Sequence, residues 1–255
     1  MPSLQWLQQY QKIKHQLDCS YDLEAQFRND KIGSMEVKHL DIGMLNCPSG
    51  KLIACDPMTS LLDAPALLQT IERGLYKVKV CVVPTKRYGD RYSCVKLEIT
   101  DEIPVRYELG VTGIEDLECD LDDDLLENEV FGFGVDTATA CLCDVQAQLD
   151  FQQYWTKHVA EKQDHEPYEY HFSALMAQNA KAHPLYQTSL GDWLNYTIPH
   201  SSLNITMFTT DFGDGCYPVY FGYNAKDQIC AVYISFLWRN GGDALDHKFK
   251  LAKHV

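Results

Sequence analysis

Two stretches of the chain bring together residue types that do chemistry. "TTDFGDGCYP" (209–218) contains Asp211-Phe212-Gly213, the order in which protein kinases hold magnesium. A kinase also needs a glycine-rich phosphate loop, a strand lysine and an H-R-D loop, and the sequence has none of them. Gly213, Asp214 and Gly215 fit a turn instead, because glycine takes positive φ at little cost. "FGVDTATACLCD" (133–144) brings to mind the phosphate loop of actin-like and sugar kinases, but Ala138 fills the glycine slot and no adenosine loop follows. Asp136, Asp144 and Asp214, with Asp211, are the carboxylates that could converge on a divalent cation, since hard cations take oxygen ligands. The competing reading is that aspartates at glycine-rich turns bond their own backbone. The nine histidines form no H-E-x-x-H pair, there is no G-x-S-x-G elbow, and Cys141-x-Cys143 lacks the second pair of a zinc site. No catalytic set and no cofactor is implied.

The other chemistry is charge. Formal net charge is −14, and between Arg106 and Lys157 the chain has 13 carboxylates and no lysine or arginine. The densest part, "IEDLECDLDDDLLENE" (114–129), holds Glu115, Asp116, Glu118, Asp120, Asp122, Asp123, Asp124, Glu127 and Glu129. A calcium loop of the EF-hand type needs a central glycine and ligands at fixed offsets; here leucines interrupt the acids and no glycine occurs. A plain solvated run is one reading. The other is a docking surface, in which Leu117, Leu121 and Leu125 recur every four residues along one helical face while the carboxylates speed the approach of a cationic protein. Phosphate would be repelled, so nucleic acid is excluded as a partner. The expected contact set is Glu115, Asp116, Glu118, Asp120, Leu121, Asp122, Asp123, Asp124 and Leu125.

These residues need elements to position them. "SLQWLQQYQKIKHQL" (3–17) is amphipathic at helical spacing and predicts an N-terminal helix within residues 1–20. From 36 to 144 the pattern is β-rich. Tyr76, Val78, Val80 and Val82 alternate, as do Val95, Leu97 and Ile99 with Lys96 and Glu98 opposite, and "PTKRYGDR" between them is a hairpin-length connection. Half-buried antiparallel strands follow from this alternation. Pro48-Ser49-Gly50 marks a turn between two strands, and 129–146 reads as two strands round a tight turn. Residues 145–182 predict a helical segment, and 203–238 a return to strands with a hairpin at "NAKD". The fold class is α+β: one domain over 1–255, predominantly antiparallel β-sheet.

Composition bounds the setting. Apolar residues make up 45% of the 255, enough to bury a core. The start is no secretory signal and no apolar run reaches a membrane span. The ten cysteines lie in part inside strand-like runs, where a reduced thiol behaves as a small apolar residue. The expectation is a cytoplasmic protein with buried thiols, in which the sequons at Asn195 and Asn204 are incidental.

Four segments also carry a resemblance. "LDIGMLNCPSGKLIACDP" (40–57), "VRYEL" (105–109), "FGFGVDTATACLCD" (131–144) and "DFGDGCYPVYFGYNAKDQICAVYISF" (211–236) are similar in order and spacing to the bacterial family catalogued as domain of unknown function 4241. Shared positions include Pro48, Ser49, Gly50, Cys55, Asp56, Pro57, Gly134, Asp136, Thr139, Asp144, Gly213, Asp214, Gly215, Tyr217, Pro218, Gly222 and Tyr223, with Ala138 departing from the usual glycine. The resemblance implies kinship and transfers no activity. Two function classes are carried forward. The first is a binding protein of the immunity type that neutralises a basic bacterial toxin or effector. The second is a metal-dependent hydrolase using Asp136, Asp144 and Asp214. Neither fixes the oligomeric state.

Overall fold

A computed structural model describes residues 2–86, 89–117, 131–158, 171–210 and 213–236. Strands dominate, and every strand pairing is antiparallel, as the alternating patterns predict. The N-terminal helix α1 spans Leu4–Ile13 and runs into a 3-10 turn at Lys14–Gln16. Ser3 caps α1 by accepting from the Trp6 N–H, which satisfies one of the orphan donors of the first turn. A one-turn helix α2 (Ala25–Arg28) and a small ribbon of β1 (Lys31–Ile32) with β2 (Met35–Glu36) lead into the main sheets.

The larger sheet has six strands: β3 (Lys38–Cys47), β5 (Gly74–Thr85), β6 (Gly89–Glu98), β7 (Arg106–Leu109), β13 (Val219–Tyr223) and β14 (Ile229–Ser235). Their order is β3-β5-β6-β14-β13-β7. The smaller sheet has four strands: β4 (Leu52–Cys55), β9 (Thr139–Asp144), β10 (Trp193–Thr197) and β11 (Asn204–Thr209), in the order β10-β11-β9-β4. A separate ribbon joins β8 (Phe133–Val135) to β12 (Gly215–Tyr217). Within the predicted helical segment the described residues form α3 (Val145–His158) and α4 (Ser173–Ala182), and 159–170 lie outside the described residues.

The two sheets stack face to face, and period-2 alternation decides which side chains meet. Val78, Val80 and Val82 of β5, with Val95 and Leu97 of β6, enter one core with Leu52, Ala140, Leu142 and Phe208 of the smaller sheet. The intervening residues of the smaller sheet, Ile53, Cys141, Cys143, Ile205 and Met207, face outward. They are covered by Phe151 of α3, by Phe172 and by Met176 of α4. The outer face of the larger sheet is covered as well. Tyr10, Leu17 and Leu23 of the N-terminal segment pack on Cys81, Val83, Cys94 and Tyr233. This departs from the expected half-buried strands: β5 and β6 are buried on both faces along their middles. The residue that made one face look polar, Lys96, is paired under that cover.

The stretch 129–146 departs in a second way. It does contain two strands, but they do not pair with each other. β8 joins β12, while β9 lies between β11 and β4. The β5–β6 and β13–β14 hairpins form as their sequences predict. Nine cysteines fall among the described residues, none of them in a disulfide, and seven of them are buried.

Candidate functional site

Three aspartates of the sequence motifs, Asp56, Asp144 and Asp214, hold turns. β4 and β9 pair in opposite directions, with Leu52 opposite Asp144 and Cys55 opposite Cys141, so each strand ends beside the turn that starts the other. Asp144 closes β9 with its carboxylate wholly buried. It accepts from the N–H groups of Ser49 and Gly50 (both 3.1 Å), from the Ser49 hydroxyl (2.8 Å) and from the Gln146 N–H (2.8 Å). Gly50 has φ +73°, and a Cβ there would lie 2.2 Å from the Ile71 carbonyl oxygen, so only glycine fits this turn. Asp56 does the reciprocal work just after β4. It accepts from the N–H groups of Asp136 and Thr137 (both 2.9 Å), from the Thr137 hydroxyl and from the Met58 N–H (2.8 Å). Buried carboxylates are costly unless every lone pair has a donor, and these two are supplied with donors on both oxygens.

Asp214 performs a third tie, accepting from the Ala138 N–H at 3.1 Å. Ala138 has φ 53°, which explains why a glycine would be at ease in its slot. Thr210 N–H donates back to the Ala138 carbonyl at 3.0 Å, and the Tyr217 hydroxyl donates to the Gly213 carbonyl at 2.8 Å. The turns at 136–138 and 213–215 are thereby locked together, with the Asp136 and Asp214 side chains exposed.

The proposed metal triad is not assembled. Asp136 and Asp214 flank the same pair of turns, but Asp144 sits at the far end of β9. A six-residue strand at about 3.3 Å per residue separates them by roughly 20 Å, and the Asp144 oxygens are engaged with Ser49, Gly50 and Gln146. Among the described residues, no group of three or more His, Cys, Asp or Glu side chains is placed to hold a metal ion. Asp211 lies outside the described residues.

The acidic stretch is described only at its root. Glu115 turns its carboxylate back on its own loop, accepting from the N–H groups of Thr112 (2.6 Å), Gly113 (2.8 Å) and Ile114 (3.1 Å) and from the Thr112 hydroxyl (2.8 Å). It is a loop-forming residue, and its charge is not presented outward as the sequence reading expected. Its carbonyl accepts from Trp6 Nε1 at 2.8 Å, and the Leu117 carbonyl from Gln9 Nε2 at 3.5 Å. Leu117 is buried in the cluster under α1, and Phe131, where the described chain resumes, packs on the same cluster. Asp116 is exposed. Glu118, Asp120, Leu121, Asp122, Asp123, Asp124 and Leu125 lie outside the described residues, as do Glu127 and Glu129. Beside the root, Pro2 packs against Gly113, and the apolar side chains of Leu4 and Ile114 are 74% and 76% exposed.

One ionic cluster was not anticipated. Lys96 Nζ lies 2.7 Å from a Glu24 carboxylate oxygen with both side chains at or below 10% exposure. The Tyr233 hydroxyl donates to Glu24, the Glu24 N–H donates to the Tyr107 hydroxyl (3.0 Å), and that hydroxyl donates to Asp22 (2.7 Å). Burial, reinforced by the Glu24 charge, pushes the Tyr233 phenol far above its ordinary range. Nothing in sequence ties Lys96 to a partner 72 positions away. Every group in the cluster is engaged, so the arrangement clamps the N-terminal segment to the sheet. The asparagines of the two sequons are likewise engaged. Asn195 donates to the carbonyls of Ile42 and Met44, and Asn204 Nδ2 to that of Met44 while its Oδ1 accepts from Asn46.

No curated protein and no solved structure matches the chain. The sequence model of the family described as "Protein of unknown function (DUF4241)" matches residues 45–234, a span that takes in the Ser49–Asp144 and Asp56–Asp136 ties and the turn pair around Ala138. The chain therefore belongs to the DUF4241 family.

Proposed function

We propose that this protein is a binding protein of the immunity type, which neutralises a basic bacterial toxin or effector by meeting it with an acidic surface. The observation that carries the reading is where the acidic segment is rooted. Leu117 at its start and Phe131 just past its end are both seated on the apolar cluster beneath α1. The described residues that bound the carboxylate run thus share one cluster. A field of one sign attracts a cationic protein and orients its approach. The exposed Leu4 and Ile114 beside the root supply the apolar contacts that retain a partner once it has arrived.

Several observations support the wider setting. Strands β5 and β6 contribute to two of the three apolar clusters, and the smaller sheet to two, which supports treating residues 1–255 as one domain. The free thiols among the described residues support a reducing, cytoplasmic compartment. Among the described residues, no helix is long and apolar enough to cross a membrane.

The hydrolase reading keeps one observation, the shared position of Asp136 and Asp214 at the same pair of exposed turns. Asp144, the third member of that set, is committed to the Ser49–Gly50 turn and Gln146. The test of the binding reading is co-purification of the tagged chain with the product of the adjacent gene. A stoichiometric complex with a basic protein supports it, and no complex with that product or with any basic protein of the source cell would sink it.

A further inference from the structure

The four open edges of the two large sheets are not treated alike. On β3, the carbonyls of Ile42 and Met44 accept from the Asn195 and Asn204 side chains, and a bulge between Asp41 and Met44 breaks the register. On β4, the Leu67 N–H donates to the Leu52 carbonyl, and Lys51 bridges to Thr70. On β7, the Tyr107 carbonyl accepts from the Cys19 N–H, and the Leu109 carbonyl from Gln69 Nε2. Sealing of this kind keeps sheet edges from pairing with other chains.

β10 is the exception. Its pairing with β11 puts Trp193 opposite Phe208 and Thr197 opposite Asn204. The Thr209 N–H donates to the Asp192 carbonyl and the Ile198 N–H to the Leu203 carbonyl. Alternation in an antiparallel ladder then turns the N–H and C=O groups of Trp193, Asn195 and Thr197 away from the sheet. The Trp193 carbonyl accepts from Asn179 Nδ2 of α4 at 2.8 Å. Among the described residues, nothing pairs with the outward N–H and C=O groups of Asn195 and Thr197. The strand has no proline, lysine or bulge to discourage pairing.

Beside this edge runs a groove of about 530 Å³ between β10 and α4. Leu175 and Ala182 line it from the helix and Leu194 and Tyr196 from the strand, together with His171 and Pro199. Among the described residues, no Asp, Glu, Lys or Arg lines it. His171, bonded to the Tyr196 hydroxyl at 2.8 Å, is held below its ordinary pKa by burial.

We propose that this groove binds an extended segment of a partner protein, which adds to β10 as a fifth strand. Its backbone pairs with the outward groups of Asn195 and Thr197, and alternate side chains enter between Leu175 and Leu194. This is strand addition beside a helix, in which main-chain bonds give affinity and the pocket for alternate side chains gives specificity. Charge complementarity defines the occupant further. The part inside the groove is uncharged because its walls are, and an acidic segment is disfavoured by the net charge of −14. Leu117 and Phe131, the described residues that bound the acidic segment, do not line the groove, so the two readings are tested by different variants.

The test pans a displayed library of short random linear peptides on the full chain and measures the recovered peptides by fluorescence anisotropy. The inference expects extended sequences with alternating apolar residues and no acidic residue in the binding core. N-methylation of alternate peptide amides should weaken binding at least tenfold, a loss specific to backbone pairing. Thr197→Pro removes an outward N–H, a change that edge strands tolerate, and should cause a similar loss with an unchanged Tm. Ala182→Trp, at an exposed helix position, fills the groove and should do the same if the proline variant does not fold. Reversing Asp122, Asp123 and Asp124 should leave the affinity for uncharged peptides unchanged. The proposal is overturned if no peptide is enriched, or if affinity survives N-methylation or Ala182→Trp. Conversion of a dimer to a monomer by Thr197→Pro would assign the edge to a second copy instead.

Discussion

Asp144→Asn keeps the shape of the side chain and removes its capacity to accept on both oxygens. In the native site one oxygen serves the N–H groups of Ser49 and Gly50, the other the N–H of Gln146, and the Ser49 hydroxyl reaches both. An asparagine amide has one acceptor oxygen and one NH₂ group, so either orientation turns a donor onto at least one backbone N–H. A hydrogen bond to a charged acceptor contributes roughly 1.5–3 kcal/mol, and an abandoned buried donor costs roughly 1–3 kcal/mol. The expected loss is about 3–4 kcal/mol, a large part of a typical stability of about 5–15 kcal/mol. For a chain of this size that corresponds to a fall in Tm of roughly 10 °C. Urea unfolding followed by tryptophan fluorescence measures it, with Asp136→Asn as the control. Asp136 is exposed, and its substitution should stay within about 0.5 kcal/mol. A metal-site role predicts the reverse, with both variants stable. If Asp144→Asn costs less than about 1 kcal/mol, the turn-holding account of the motif aspartates is wrong.

Three further outcomes follow from the buried and half-buried groups. Glu24→Ala leaves Lys96 charged under the N-terminal cover and should cost about 3–5 kcal/mol, whereas Glu24→Leu with Lys96→Met should recover most of that loss in chemical denaturation. Asp18 has its pKa raised by burial and then by the Glu108 charge, partly opposed by His15 and Arg106. A raised carboxyl contributes stability that is fully present below its unfolded pKa and is lost as pH rises through the folded value. Asp18→Asn should therefore stabilise the protein at neutral pH, with the gain fading in acid; a gain independent of pH would exclude this origin. Native labelling with a thiol reagent, located by mass spectrometry, should reach exposed Cys216 while Cys47, Cys55, Cys81, Cys94, Cys141, Cys143 and Cys230 react only after denaturation.

Local patterns were readable where structure is local. The alternation of Val78, Val80 and Val82 against Val95 and Leu97 announced the β5–β6 hairpin, and "NAKD" announced β13–β14. The amphipathic repeat of 3–17 marked α1. Long-range pairing was not readable. β8 and β9 are adjacent in sequence but belong to different sheets, because their partners β12 and β11 lie more than 60 positions away. Asp144 looked like a residue that bonds its own turn. It does so in part, at Gln146, but its other donors come from a turn 95 positions away, and Asp56 likewise reaches a turn 80 positions on. Lys96 looked solvent-facing because nothing local predicts that Glu24 will cover it. The open edge of β10 was invisible for the same reason, since edge status is a property of strand order and not of the strand.

The central claim is that the acidic segment steers a basic partner, and association kinetics test it most directly. Surface plasmon resonance against the co-purified partner should give a fast association rate at low salt. That rate should fall as added salt shortens the screening length to about 10 Å at 0.1 M. Reversing Asp122, Asp123 and Asp124 to lysine should lower the low-salt rate by roughly tenfold and flatten its salt dependence, with little change in dissociation. If the reversal leaves the association rate and its salt dependence where they were, the carboxylates of 115–129 do not steer the partner and the account of function is contradicted.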